Sequence, residues 1–327
     1  MTTQKSIQKL INKYYQTCSF EEIEHLRFFI LDDNASLEEK IKRYKNKQKL
    51  INSLELIFKE IVVQRNELAM ENGYRDYFHF ALDWYGISEK QTQSFMAESR
   101  LVIKKIVSRL PISGDISKDY WGKYSSPNLP LVIADKNSYA IPDKVYTFLE
   151  SKNIANRETL SRIELKQYPN RYFYTDLDKQ RKKVVVKCNL ESTTSVGALS
   201  FAHEMGHALT YLKMIDKNVD PESKSSYWHE KRAILTEMEF EDSLETKVRD
   251  ANRDRILYQF VLTYFEYYIY SKSDKDFANL YAKANRFCYP TKDSSNPFYV
   301  LNTFLVDRPC YSAIYSYIYT ELLSRRA

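Results

Sequence analysis

The sequence predicts a mainly α-helical protein with one small β-hairpin. Three observations lead there. Leu, Ile, Phe and Tyr recur at intervals of three and four residues through most of the chain, the spacing that lines one face of a helix. Glycine and proline are scarce, 6 and 9 among 327 residues, so few positions interrupt those patterns. Only one pair of neighbouring segments carries β-branched and aromatic runs around a polar turn.

In chain order, residues 1–110 read as wholly helical, broken at Asp32-Asp33-Asn34 and near Gly73 and Gly86. Within them, 36–71 reads as one long helix, started by Ser36 with Glu39 three residues on, a capping box. From 111 to 142 the pattern loosens into a long irregular connection marked by Pro111, Gly114, Pro127, Pro130 and Pro142. A helix near 143–155 follows. Arg171–Thr175 and Lys183–Cys188 then flank a polar turn, Asp176–Gln180, and read as the hairpin. Val196, Leu199, Ala202, Met205 and Leu209 place a helix over about 195–214, with Ser192, Thr193 or Thr194 as its cap. Beyond 226 helices resume to the end, interrupted between Tyr289 and Pro297 and again around Asp307-Arg308-Pro309. The expectation is a single domain, 1–327, with an N-terminal helical part (1–110) and a second part (111–327) holding the chemistry.

Composition excludes several classes of function. The 49 basic and 43 acidic residues leave a net charge of +6, but both signs are spread along the chain. No basic stripe interleaved with aromatics points to nucleic acid, and no glycine-rich loop offers to cradle phosphates. Cys18, Cys188, Cys288 and Cys310 are far apart without a CxxC pair, which suits reduced thiols. Met1–Lys5 is polar and resembles no signal peptide, and there is no apolar run long enough to span a membrane. A cytoplasmic location is expected, with export by a route that reads no N-terminal signal as the alternative. Nothing in the sequence marks an oligomeric state.

One stretch carries a chemistry of its own. His203-Glu204-Met205-Gly206-His207 is an HExxH motif, and residues four apart on a helix share a face, so both imidazoles can reach one metal ion. The glutamate between them can then polarise a water for attack on a carbonyl. Of the five histidines (His25, His79, His203, His207 and His229), three fall within 27 residues. A catalytic zinc needs a third protein ligand, and Glu222, Glu230, Glu237, Glu239, Glu241 and Glu245 lie downstream. Tyr227–Glu237 reads as a helix that puts Glu230 and Glu237 two turns apart on one face. One could bind the metal while the other takes a histidine's second N–H, and spacing alone leaves the two roles open. His229 points about 100° away from Glu230 and does not fit the same set.

HEMGHAL and the downstream Trp228-His229-Glu230…Glu237 resemble three related groups of zinc peptidases: the thimet oligopeptidase/oligopeptidase F family, the carboxypeptidase Taq family and angiotensin-converting enzyme. Gln64–Ala69 and Asn72–Tyr77 resemble the oligopeptidase F segment in which an Arg-Asn helix precedes a Gly-Tyr turn. The resemblance implies a helical zincin-type peptidase with an active-site cleft, an edge strand beside the HExxH helix, one Zn²⁺, and peptide or extended protein substrates. It implies His203, His207 and Glu230 as zinc ligands, Glu237 behind them, and Glu204 as general base and then proton donor. Ala233 stands where these families often have serine. The Val-rich segment Val184, Val185 and Val186 sits where they keep the edge strand, which could hold a peptide by strand addition.

The resemblance also implies a late tyrosine that stabilises the oxyanion. Tyr311, Tyr315 and Tyr317 are the first candidates, with Tyr299 behind them. No histidine follows His229 to assist them, a departure from the family pattern. Family members run longer past this segment, so the chain resembles a shortened version, for which a more open cleft is expected. Two other readings remain: a catalytically impaired relative that binds a peptide or protein partner in the same cleft, and a metal-free helical interaction protein.

Overall fold

The computed structural model describes residues 3–31, 36–108, 140–168, 173–178, 183–188, 195–244, 246–272, 276–288 and 297–325. The expected irregular connection, apart from residues 140–142, the caps at Ser192–Thr194 and the Tyr289–Asn296 interruption lie outside them. The chain forms two compact units, one of Met1–Asn128 with Asp254–Ala327 and one of Leu129–Arg253. The first unit thus joins the C-terminal helices to the N-terminal ones.

The first unit begins with α1 (Thr3–Thr17), α2 (Phe20–Leu31), α3 (Leu37–Asn46), α4 (Gln48–Glu71), α5 (Tyr77–Trp84) and α6 (Glu89–Val107). The capping box at Ser36 and Glu39 forms as expected and starts α3. The single helix expected over 36–71 does not form. It breaks at Lys47, whose N–H bonds back to Tyr44 and Lys45 while the Tyr44 ring turns inward. No glycine or proline announces that break, so it belongs to packing rather than to local signals. Gly73 and Gly86 both take positive φ, at 81° and 84°, a conformation open to glycine, and end α4 and α5 where expected.

The Arg65-Asn66 pair anchors α4. Arg65 is buried and donates to Tyr270 Oη and to the carbonyls of Leu305 and Val306. Asn66 accepts from Tyr77 N–H at 2.8 Å and donates to the Tyr270 carbonyl at 3.1 Å, fixing the start of α5.

The second unit holds α7 (Ala140–Ser151), α8 (Arg157–Ser161), β1 (Ile163–Gln167), β2 (Tyr174–Asp178), β3 (Lys183–Cys188), α9 (Ser195–Asp216) and α10 (Ser226–Asp242). β2 pairs antiparallel with β3, which is the expected hairpin. Asp176–Asp178, expected in the turn, are paired strand residues. β1 was not expected, since Ile163-Glu164-Leu165-Lys166-Gln167 is short and carries two charged residues. It adds parallel to β3, giving the order β1-β3-β2. Val184, Val185 and Val186 therefore lie in the central strand and not on an edge. Both sides of β3 are already paired, and Val184 and Val186 are sealed in the core with Ala198, Phe201, Ala202 and Met205 of α9. The edge strand packed against α9 is β2.

α11 (Thr246–Ser271) carries the chain back to the first unit, which ends with α12 (Phe277–Cys288), α13 (Thr303–Asp307) and α14 (Tyr311–Arg325). The expected break at Asp307–Pro309 separates α13 from α14, with Cys310 at φ 61°. Phe260, Tyr264 and Phe265 of α11 are fully buried, as expected for its Tyr-rich run.

Candidate metal centre

The centre is built on two helices of the second unit. α9 runs unbroken through the motif, so His203 and His207 stand one turn apart with ring centroids 4.9 Å from each other. α10 starts at Ser225, whose side chain accepts from Trp228 N–H, and buries Glu230, Ala233, Ile234, Glu237 and Met238 along one face. The two helices pack closely at Gly206. A β-carbon there would lie 2.7 Å from Ala233 Cα and 3.0 Å from Thr236 Oγ1. Gly206 inside HEMGH and Ala233 on α10 are thus matched small residues that let the helices approach.

That approach brings the ligand set together. One atom each from His203, His207 and Glu230 lies within 4.8 Å of the others, and all three residues are buried. Glu230 Oε2 is 3.1 Å from His203 Nε2, and Oε1 is 3.5 Å from His207 Nε2. Bonds of about 2.1 Å at tetrahedral angles put ligand atoms roughly 3.4 Å apart, so these spacings suit a zinc-sized ion. Glu237 stands on the other side of His203, its Oε2 3.1 Å from Nδ1, and Asn252 Nδ2 lies 3.5 Å from Oε1. Spacing had left Glu230 and Glu237 interchangeable; here only Glu230 faces both Nε2 atoms.

Electrostatics agree with a cation site. Burial disfavours the His203 imidazolium, but Glu230 and Glu237 on its two nitrogens outweigh that and raise its pKa to about 10. Burial likewise disfavours the Glu230 carboxylate, yet His207 and His203 hold it well below the usual range. Among the described residues, His207 Nδ1 is buried without a hydrogen-bond partner. His229 lies outside the set: its Nε2–H donates to the Pro221 carbonyl at 2.9 Å. Tyr211, one turn beyond His207, sits between His207 and His229, with ring centroids 6.3 and 5.4 Å away. Sequence reading passed over Tyr211, although its helical spacing from His207 pointed to it.

Glu204 lies between the histidines on α9 and is only partly buried. Thr175 on β2 holds it, with Oγ1 2.8 Å from Oε2 and 2.9 Å from the Glu204 carbonyl. No local pattern flags Thr175, since the contact joins a strand to a helix 29 residues away.

The tyrosines belong to the first unit. Tyr299 is fully buried and donates to Glu55 at 2.7 Å, which makes it a core residue. Tyr317 is buried with its ring stacked 4.0 Å from that of Phe95. Tyr311 and Tyr315 are half-buried and line a cavity of about 310 Å³ with Arg255, Tyr258 and Tyr319.

No family model and no curated protein matches the chain. Solved structures do. An oligoendopeptidase F aligns over 99% of this chain at TM-score 0.70 and 14% identity, and PZ peptidase A with an inhibitor over 99% at TM-score 0.66 and 14% identity. An oligoendopeptidase F from Bacillus anthracis aligns over 93% at TM-score 0.55, again at 14% identity. The chain has the oligoendopeptidase fold. It is mainly helical with a small mixed sheet, and it spans 66%, 66% and 63% of those three chains respectively. Among the described residues, no helix of this oligoendopeptidase-like fold is long and apolar enough to cross a membrane.

Proposed function

We propose that the chain is a zinc metallopeptidase that hydrolyses peptide bonds in oligopeptides or in an extended protein segment. The observation that carries this reading is the convergence of His203, His207 and Glu230, with Glu204 next to His203 on the same helix, on a fold shared with oligoendopeptidases. Two imidazoles and a carboxylate are a donor set that suits zinc, with room left for water or substrate. When bound, zinc supplies Lewis acidity toward a carbonyl and lowers the pKa of a water it holds.

The residues of the chain do the rest. Glu237 accepts the Nδ1–H of His203, fixing the tautomer that presents Nε2 to the metal. Glu204 takes the proton of the attacking water as general base and passes it to the leaving amine as general acid. Tyr311 and Tyr315 are kept as the first candidates for the donor to the developing oxyanion, on the resemblance, with Tyr317, whose ring is stacked on Phe95, behind them. An extended peptide would add to β2, whose outer side is unpaired among the described residues, in place of the central Val184–Val186 segment.

The test is digestion of a peptide library by the zinc-loaded protein. Cleavage lost on chelation and restored by zinc supports the reading. A protein that binds zinc but cuts no member of the library overturns it in favour of a peptide-binding role.

A further inference from the structure

We infer that Thr175 is a positioning residue for Glu204, so that edge strand β2 sets the orientation of the general base. The inference rests on the reading of Glu204 as that base. A glutamate on a helix has three rotatable bonds, and Glu204 is not packed tightly enough for burial alone to select one arrangement. Thr175 supplies the missing constraint. Its hydroxyl has one proton and two acceptors in reach, the Glu204 carboxylate at 2.8 Å and the Glu204 carbonyl at 2.9 Å. The carbonyl already serves the ladder of α9, which leaves Oε2 as the acceptor with lone pairs to spare, so the proton goes to Oε2.

The donor is itself rigid. Threonine is branched at Cβ and has few χ1 states. Thr175 pairs with Val186, which is completely buried in the middle of the sheet. Its strand neighbours Tyr174 and Asp176 alternate to the opposite face, where Asp176 meets Lys187 at 3.3 Å. Leu177, the other residue of β2 on the α9 side, is apolar and packs on the core. Thr175 is therefore the hydroxyl by which this strand can hold Glu204. With Oε2 held, Oε1 is the oxygen left to take the proton from water and return it to the amine.

The test compares Thr175→Val, which keeps the shape and removes the hydroxyl, with Thr175→Ser, which keeps the hydroxyl. In the zinc-loaded enzyme, Thr175→Val is expected to lower kcat about 10-fold or more, with KM and zinc content little changed. Thr175→Ser is expected to stay within about threefold of the parent, a rescue that a merely structural role does not produce. Unchanged kcat in Thr175→Val, or equal losses in both variants, overturns the inference while leaving the peptidase reading intact. An inactive parent protein counts against the peptidase reading instead. A crystal structure of zinc-loaded Thr175→Val then decides the positioning role without activity: a displaced Glu204 carboxylate supports it, and an unmoved one overturns it.

Discussion

His203 carries opposing demands that explain why its neighbours are what they are. Its Nε2 faces Glu230 and its Nδ1 faces Glu237, each at 3.1 Å, so without a metal the ring keeps a proton that two carboxylates stabilise. On the proposed reading, zinc takes the place of the Nε2 proton while Glu237 keeps its contact with the other nitrogen. Glu237→Gln is therefore expected to weaken zinc binding by about 10- to 100-fold without removing the site, measured by competition with a chelator of known affinity. Glu230→Ala removes a ligand and should leave the protein largely zinc-free under the same competition. For the oxyanion, Tyr311→Phe and Tyr315→Phe are to be compared with Tyr317→Phe. A loss of about 10²- to 10³-fold in kcat in one of the first two identifies the donor. A comparable loss confined to Tyr317→Phe contradicts the assignment. At this scale the sequence was most legible where one helix holds all the partners. HExxH puts two imidazoles and a carboxylate on one helix by spacing alone, whereas placing Glu230 rather than Glu237 opposite both Nε2 atoms needed the packing of two helices, and the contact of Thr175 with Glu204 needed a sheet.

Among the elements, the α9–α10 contact decides whether the centre exists. Gly206 lies so close to α10 that a methyl group would meet the main chain of Ala233 at 2.7 Å. A side chain can swing away from such a contact, but backbone cannot, so the helices must separate. Gly206→Ala gains up to about 1 kcal/mol of helix propensity. Overpacking costs typically about 1–3 kcal/mol, so the net change is expected to be destabilising. The same displacement pulls Glu230 from the two histidines, so thermal melting and zinc affinity should fall together. A stable variant with full zinc affinity contradicts this account of the contact. The sheet shows what local pattern leaves out. The hairpin was legible because Lys183–Cys188 is rich in β-branched valine and follows the aromatic run Arg171–Thr175 across a polar turn. β1 was not, since its alternating charged residues look like loop. Missing one strand converted a central strand into an expected edge. The break of the 36–71 helix at Lys47 is similar: it follows from where Tyr44 packs, and no residue type signals it.

At the scale of the whole chain, the pairing of N-terminal with C-terminal helices was the least legible feature, because it depends on contacts between residues about two hundred positions apart. Arg65 is the clearest case, bonding Tyr270, Leu305 and Val306 from within α4. Near it, Glu266 is buried and accepts from Cys310 N–H at 2.5 Å. Burial raises its pKa to about 8 from an ordinary 4.5, against the opposing pull of that hydrogen bond and of Arg65. A raised folded-state value means that the folded chain holds a proton the unfolded chain has released. Through this group, stability is greatest below about pH 4.5 and declines as pH rises to about 8. Glu266→Gln keeps an acceptor for Cys310 and cannot titrate. Denaturant melts of parent and variant between pH 5 and 8 should therefore diverge in favour of the variant as pH rises, by on the order of a few kcal/mol. Parallel curves contradict the buried protonated carboxyl. The oligoendopeptidase fold was legible at this scale only through the HEMGH, Trp-His-Glu and Arg-Asn segments, which are few residues in a long chain.

The central claim is that Glu204 acts as the base beside a metal held by His203, His207 and Glu230. It is tested most directly by the rate at which zinc-loaded parent and Glu204→Gln proteins cut a fluorogenic oligopeptide, with metal content measured on the same samples. The account predicts equal zinc, near one ion per chain, and a rate lower by about 10²- to 10⁴-fold in the variant. Equal rates at equal zinc content would contradict it.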